Sequence, residues 1–341
     1  MSLRILLQTR FPPSVGGIET LALVLCREWM RVGCNVTVVT DVPVSRGTKP
    51  DLPYRVFHQP SPMTLLSLWR SHDVVVAMNV SLKAAWPMLL ARTPVVFTHH
   101  SPYWLDRQET RDWREFLKLQ IARRSDENIC VSEFIKRATG LKHSKVVHNC
   151  YDDTIFSNPG IKVRDYDVAF VGRLVSDKGA DLLLHAVSRL PTSRGLTFSI
   201  IGDGPERSVL EALVCDFRLK DVVRFTGPLS PHEVAWELQR HKIMVVPSLW
   251  KEPFGIVALE GMACGCAVLV ANGGGLPQAI GRAGRAFERG SVESLVENMS
   301  DLLNSPLLRE ELAKLAIPHL KRHGSKQMAG AYLEVIRRAV P

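Results

Sequence analysis

The chain reads as an α/β protein built of two doubly wound units, and three observations carry that reading. Short β-branched runs alternate with helix-length amphipathic stretches from end to end, the sequence form of a parallel sheet covered by helices. At 341 residues the chain is long for a single core and natural for two domains. A polar stretch at 151–164, with Asn158, Pro159 and Gly160, interrupts the alternation, and a second series of strands follows it. The expected division is 1–160 and 161–325, two Rossmann-like units joined near residue 160.

The first strand candidate, 5–7, is flanked by Arg4 and by Gln8, Thr9 and Arg10, too little apolar length for a signal-peptide core. A helix over 18–32 follows, then strands at 36–40 and 74–77, a helix over 83–91, a strand at 95–98, a helix over 105–124, and strands at 128–131 and 145–148. In the second half the buried-strand runs are 167–171, 197–201, 222–226, 243–246 and 267–270, each with a helical stretch behind it. An amphipathic helix over 326–341 closes the chain. The longest uncharged run, 261–281, holds Gly273, Gly274, Gly275 and Pro277, which a lipid-exposed span would not choose, so no membrane-spanning segment is expected.

With 46% hydrophobic residues the chain is too apolar for disorder. Its seven cysteines are odd in number and form no C-x-x-C pair, which argues against a disulfide framework or a structural zinc site and for a reducing, cytoplasmic setting. The formal charge of +9 is uneven: residues 1–160 carry 20 Lys+Arg against 14 Asp+Glu, and the remainder 23 against 20. A basic surface suits nucleic acid, anionic lipid or phosphorylated ligands alike. No interleaving of aromatic and basic residues marks a nucleic-acid groove, so no nucleic-acid partner is expected.

Open α/β sheets bind ligands beyond the carboxyl ends of their strands, which directs attention to the segments just after each strand. After the first strand, Gly16 and Gly17 open a helix; they make either a tight turn or a place where a phosphate or sugar reaches backbone amides. The dinucleotide pattern G-x-G-x-x-G fails there, and fails again at 202–207, where Arg207 replaces the third glycine. Asp165-Tyr166-Asp167 has the D-x-D form of metal-dependent sugar transferases but sits at the entrance of a strand, so it is read as chance. Beyond the strand at 167–171 stands Gly172-Arg173-Leu174-Val175-Ser176-Asp177-Lys178-Gly179, whose two cations can converge on one diphosphate. Beyond the strand at 243–246, Glu252 falls in a loop, Gly255 opens a helix with free amides, and Glu260 lies inside that helix among Val257, Ala258, Leu259, Met262 and Ala263. A carboxylate accepts two hydroxyl hydrogen bonds at once, as a sugar or ribose ring offers; the bland alternative makes both acids solvated surface groups.

This last segment, E-P-F-G-I-V-A-L-E-G-M-A-C-G, resembles the E-x7-E signature of the retaining, family 4 glycosyltransferases of GT-B fold, with Glu252 and Glu260 as the two acids. The resemblance extends through P-P-S-V-G-G-I-E at 12–19, V-S-E at 131–133, G-R-L-V-S-D-K-G at 172–179, I-G-D-G-P at 201–205 and V-P-S at 246–248. It implies two Rossmann-like domains facing across a cleft, the first on the acceptor side and the second binding a nucleotide-sugar donor, with the final helix packing back on the first. It further implies that Arg173 and Lys178, with Gly172 and Gly202 beside them, hold the donor diphosphate. Glu260 would hold the ribose hydroxyls and Glu252 the transferred sugar; the amides of Phe254, Gly255, Ile256 and Val257 would lie against sugar and phosphate, and Gly16 and Gly17 would close the site. Thr98-His99-His100 puts His100 in register with a family histidine that reaches the donor sugar, while His99 points to the opposite strand face. Ser101 and Gln278 depart from the family's Asp and Glu, which obscures sugar and acceptor preference.

The implied function is a retaining, metal-independent transfer of a hexose-type sugar from a nucleotide diphosphate sugar, the co-substrate, with no cofactor. The acceptor would be a glycan or a lipid-linked molecule, as in cell-surface polysaccharide or glycolipid assembly. A GT-B epimerase or phosphorylase, or a silent sugar-nucleotide-binding subunit, would share the fold; turnover with and without acceptor separates them. On the helix at 105–124, Arg107, Arg111, Arg114 and Lys118 form a stripe about 60° wide, with Trp113, Phe116 and Leu117 on the far side. This is either a solvated basic face with the aromatics packed on the sheet, or a surface that rests peripherally on anionic membrane at its cytoplasmic side.

Overall fold

The computed structural model describes residues 2–11, 16–43, 52–102, 113–161, 163–190 and 195–340. The chain forms two compact units, Met1–Cys150 with Ser325–Pro341, and Tyr151–Gly324. The break falls at Cys150 and not near 160, because Tyr151, Ile155 and Phe156 pack into the core of the second unit. The polarity of the following residues marks their outer side and not a free linker.

The first unit runs β1 (Arg4–Gln8), α1 (Gly17–Arg31), β2 (Asn35–Thr40), β3 (Arg55–His58), α2 (Pro62–Ser71), β4 (Val74–Met78), a 3-10 turn (Trp86–Leu89), β5 (Val95–His99), α3 (Trp113–Ala122), β6 (Glu127–Cys130), α4 (Glu133–Thr139) and β7 (Lys145–Val146). The second runs β8 (Tyr166–Val171), a 3-10 turn (Ser176–Lys178), α5 (Ala180–Arg189), β9 (Phe198–Ile201), α6 (Arg207–Asp216), β10 (Val223–Gly227), α7 (Pro231–Gln239), β11 (His241–Val246), α8 (Ile256–Ala263), β12 (Ala267–Ala271), α9 (Leu276–Ile280), β13 (Arg285–Phe287), α10 (Val292–Asn304) and α11 (Pro306–Arg322). The last helix, α12 (Ser325–Ala339), belongs to the first unit.

Both sheets are parallel throughout. Their strand orders are β3-β2-β1-β4-β5-β6-β7 and β10-β9-β8-β11-β12-β13. Each order reverses beside its first strand, between β1 and β4 and between β8 and β11, and that is where a doubly wound sheet opens a crevice. Central strands such as β4 and β5 are buried at every position, as strands covered on both faces must be.

On one face of the first sheet α1 and α12 bring Leu21, Leu25, Trp29, Met328, Tyr332 and Ile336 into one core. The Trp29 indole donates to the Ala329 carbonyl at 3.3 Å. Burying each large apolar side chain contributes roughly 1.5–3 kcal/mol, so α12 is a structural part of a unit whose other elements end well before it in sequence. The other face carries Leu65 and Trp69 of α2, Trp86 of the 3-10 turn, and Leu119 and Ala122 of α3.

Several expectations differ from the structure. The helix expected over 83–91 is only the 3-10 turn, since Pro87 falls in the middle of that span, where an α-helix would need its N–H and its ring would crowd the preceding turn. Strand β7 has two residues where four were expected. Strands β3 and β13 were not expected; both are short edge strands with half-buried patterns that lack a continuous apolar run. Most informative is α3. Its Trp113, Phe116 and Leu117 are not packed on the sheet but 64%, 53% and 40% exposed. At 100° per residue the buried Leu119 and Ala122 point about 180–240° away from Trp113, so the outer face of this helix is apolar as well as the inner one. Arg107 and Arg111 lie outside the described residues. Among the described residues no helix is long and apolar enough to cross a membrane.

Candidate functional site

The second unit concentrates the expected residues beyond the carboxyl ends of β8 and β11. After β8 the chain passes Gly172 and the exposed Arg173 and enters the 3-10 turn that ends on Lys178. Gly179 follows at φ +69°, where a Cβ would collide with the Pro247 carbonyl oxygen; only glycine lets the two loops approach so closely. The loop after β11 is fastened to this turn through backbone: the N–H groups of Leu249 and Trp250 donate to the Asp177 carbonyl at 2.9 and 3.3 Å.

That fastening brings Lys178 onto Glu252. The ammonium lies 2.5 Å from Glu252 Oε1, and the Ser248 hydroxyl donates to the same oxygen at 2.8 Å. From the other side, Gly275 N–H donates to the Glu252 carbonyl at 2.7 Å, so the glycine run after β12 supports the loop. Arg289 donates to the Leu249 carbonyl at 3.1 Å.

Gly255 then caps α8 at φ +107°, with Leu276 where a Cβ would stand. No side chain caps the helix: Ala258 N–H turns back to the Gly255 carbonyl at 3.1 Å, and for the amides of Ile256 and Val257, at the positive end of the helix dipole, no hydrogen bond is found among the described residues. Phe254, just before, is buried and stacks on His323 at 5.9 Å, which fixes the direction in which α8 starts. Gly202, just after β9, has its backbone against that of Gly172.

Glu260 is half-buried on α8, and among the described residues no hydrogen-bond partner is found for it. Desolvation, and secondarily the buried carboxylate of Asp152, push its carboxyl up to about 7. Asp152 is itself held by the N–H and hydroxyl of Thr154 at 3.1 and 2.7 Å. Asp165 and Asp167, the D-x-D pair, are bound to Arg240 and Lys242 at the opposite end of β8, in structural ion pairs.

In the first unit His100 follows β5. Its Nε2 shares a hydrogen bond of 2.7 Å with the Thr98 hydroxyl, and its backbone N–H donates to Asn79 Oδ1 at 2.8 Å. Burial, then the neighbouring His99, depress its pKa to about 3, so the ring is neutral. His99 faces elsewhere and bonds Asn128 Oδ1 at 2.8 Å. Gly16 and Gly17 begin α1, with Gly17 its first residue. Arg114 and Lys118 lie on α3, and the Arg114 guanidinium sits 5.5 Å from the Trp113 ring centre.

Sequence reasoning did not single out Ser248, Asp152, Asn79 or Arg289. Ser248 stood inside a quoted V-P-S run, the one signal that could have found it; the other three act through tertiary contacts that leave no local mark.

A family model described as "Glycosyl transferases group 1" matches residues 152–317, and one described as "Glycosyltransferase Family 4" matches residues 15–155. An uncharacterized glycosyltransferase of Methanocaldococcus jannaschii, MJ1178, is 33% identical over 227 residues, which is 65% of this chain and 62% of that protein. A D-inositol 3-phosphate glycosyltransferase of Frankia alni is 37% identical over 191 residues, 52% of this chain and 46% of that protein. The match thus spans less than two thirds of either relative. The crystal structure of Anabaena Alr3699/HepE in complex with UDP superposes with a TM-score of 0.84 at 19% identity, covering 98% of this chain and all of that one, and shares its fold.

Proposed function

Because the chain belongs to the group 1, family 4 glycosyltransferases, we propose that it moves a hexose-type sugar from a nucleotide diphosphate sugar to a glycan or lipid-linked acceptor, with retention at the anomeric carbon. The observation that carries the reading is the convergence of Lys178, Glu252 and the uncapped start of α8 beyond β8 and β11, with Glu260 one turn further along. Cations and helix amides together suit a diphosphate, and a half-buried carboxylate with no hydrogen-bond partner among the described residues suits ribose hydroxyls.

In this account Arg173, Lys178 and the first amides of α8 take up the negative charge that builds on the leaving diphosphate. In this reading their charge takes the part that a metal ion plays in other transferases, and turnover is expected without an added ion. The leaving oxygen accepts the acceptor's proton on the face it departs from, through an oxocarbenium-like state, and the sugar keeps its configuration. Glu252 positions the sugar ring.

The membrane part of the proposal rests on α3, where exposed Trp113, Phe116 and Leu117 stand beside Arg114 and Lys118. Aromatic rings with flanking cations suit an anionic bilayer surface and would keep the protein peripheral to it.

The test of function is incubation of UDP-, GDP- and ADP-hexoses with candidate glycan and lipid-linked acceptors, with and without chelator. The account expects an α-linked product from an α-linked donor, undiminished by chelation. An inverted product, or activity that returns only on adding Mg²⁺ or Mn²⁺, contradicts it.

A further inference from the structure

Lys178 and Ser248 meet on one oxygen of Glu252, at 2.5 and 2.8 Å, and the other oxygen has no partner among the described residues. The Lys178 and Glu252 side chains are 23% and 14% exposed, and Ser248 is 1% exposed. Resting on the donor-site reading above, we propose that Lys178 is exchanged between two anions, Glu252 in the free protein and the diphosphate in the complex, and that Ser248 is the positioning residue that holds Glu252 while Lys178 is away.

The exchange needs no backbone movement. The turn carrying Lys178 and the loop carrying Glu252 are already joined by the bonds from Leu249 and Trp250 to the Asp177 carbonyl. A lysine is a point charge on a flexible stem with three rotatable donors, and it can leave a carboxylate by side-chain rotation alone. What opposes its departure is the bare carboxylate left in a partly desolvated place. The Ser248 hydroxyl lowers that cost, because it stays on Oε1 and is itself fixed just beyond the end of β11. Two consequences follow. Glu252 competes with the diphosphate for Lys178 and thereby weakens the hold on the nucleoside diphosphate product. Without Ser248, drawing Lys178 away becomes harder.

The test is calorimetric titration of the intact chain with whichever of UDP, GDP and ADP binds it most tightly, each variant first shown to unfold cooperatively. Glu252→Gln is expected to tighten binding at least threefold, and to do nothing in a Lys178→Gln background. Ser248→Ala is expected to weaken binding at least twofold in the parent and not at all beside Glu252→Gln, while Ser248→Thr keeps the parent value. Unchanged or weaker binding in Glu252→Gln, or the same tightening without Lys178, overturns the exchange. Equal losses from Ser248→Ala in both backgrounds reduce Ser248 to a structural residue and overturn its positioning role. If none of the three nucleotides binds the parent, the donor-site reading falls and the exchange falls with it.

Discussion

A carboxylate raised to about 7 by burial and by a neighbouring acid, as Glu260 is by Asp152, changes charge in the working pH range. Its ionised form accepts charge-assisted hydroxyl hydrogen bonds on both oxygens, which the protonated carboxyl does not, so nucleotide affinity should rise as pH passes from 6 to 8, and Glu260→Gln should flatten that rise. The stability of the free protein should move the other way. The folded pKa lies above the unfolded value of 4.5, so the stability this group contributes is complete below 4.5 and is lost as pH rises through about 7. Glu260→Gln should therefore gain on the parent with rising pH, by an amount on the order of 1–3 kcal/mol at pH 8. Calorimetry and thermal unfolding at pH 5–8 check both; a stability gap that stays constant over that range would contradict the assignment. Part of this was legible beforehand, since an acid among Val257, Ala258, Leu259, Met262 and Ala263 asks for a partner. The contribution of Asp152 was not, because the two acids stand 108 positions apart in the chain and only the fold joins them.

At the scale of elements, α8 depends on one backbone conformation. Gly255 at φ +107° has Leu276 where a side chain would begin. Gly255→Ala should cost about 1–3 kcal/mol from strain alone and turn the first amides of α8 aside, so nucleotide binding should fall with the melting temperature. Normal binding in a cooperatively folded Gly255→Ala variant would show that these amides do not face the ligand. Helix α3 makes the opposite case. Its stripe of cations was visible at the expected spacing, but which side of it faced the sheet could not be read from periodicity, because apolar residues occupy both sides. With Trp113, Phe116 and Leu117 outermost, sedimentation with liposomes of graded anionic content should depend on both kinds of residue. Changing Trp113, Phe116 and Leu117 to Ser, or Arg114 and Lys118 to Gln, should each reduce binding several-fold, the second effect vanishing at high salt. Binding that ignores both sets and the lipid charge would favour a water-soluble acceptor.

The whole molecule repeats one architecture, and its candidate donor site follows from where strand order reverses in the second copy. The long buried runs of β8, β11 and β12 were legible in the sequence, since central parallel strands are apolar at nearly every position. Edge strands β3 and β13 and the true boundary at Cys150 were not, because half-buried residues carry no clear period and a domain boundary is set by which core Tyr151, Ile155 and Phe156 join. Gly172–Gly179 and Pro247–Glu260 were legible as candidates because each lies contiguously just beyond a strand at the switch point. In the proposed function this place binds a nucleoside diphosphate through Lys178 and Glu260 and acts on the sugar through Glu252. The most direct measurement is titration of UDP, GDP and ADP into the parent, Glu260→Ala, Lys178→Ala and Glu252→Ala, followed by donor turnover in each. The account predicts that one nucleotide stabilises the parent by about 2.7 kcal/mol at roughly 100 times its Kd. Glu260→Ala and Lys178→Ala should lose at least tenfold in affinity, and Glu252→Ala should bind the nucleotide at least as tightly as the parent but lose turnover. Parent-like affinity and turnover in all three variants would contradict it.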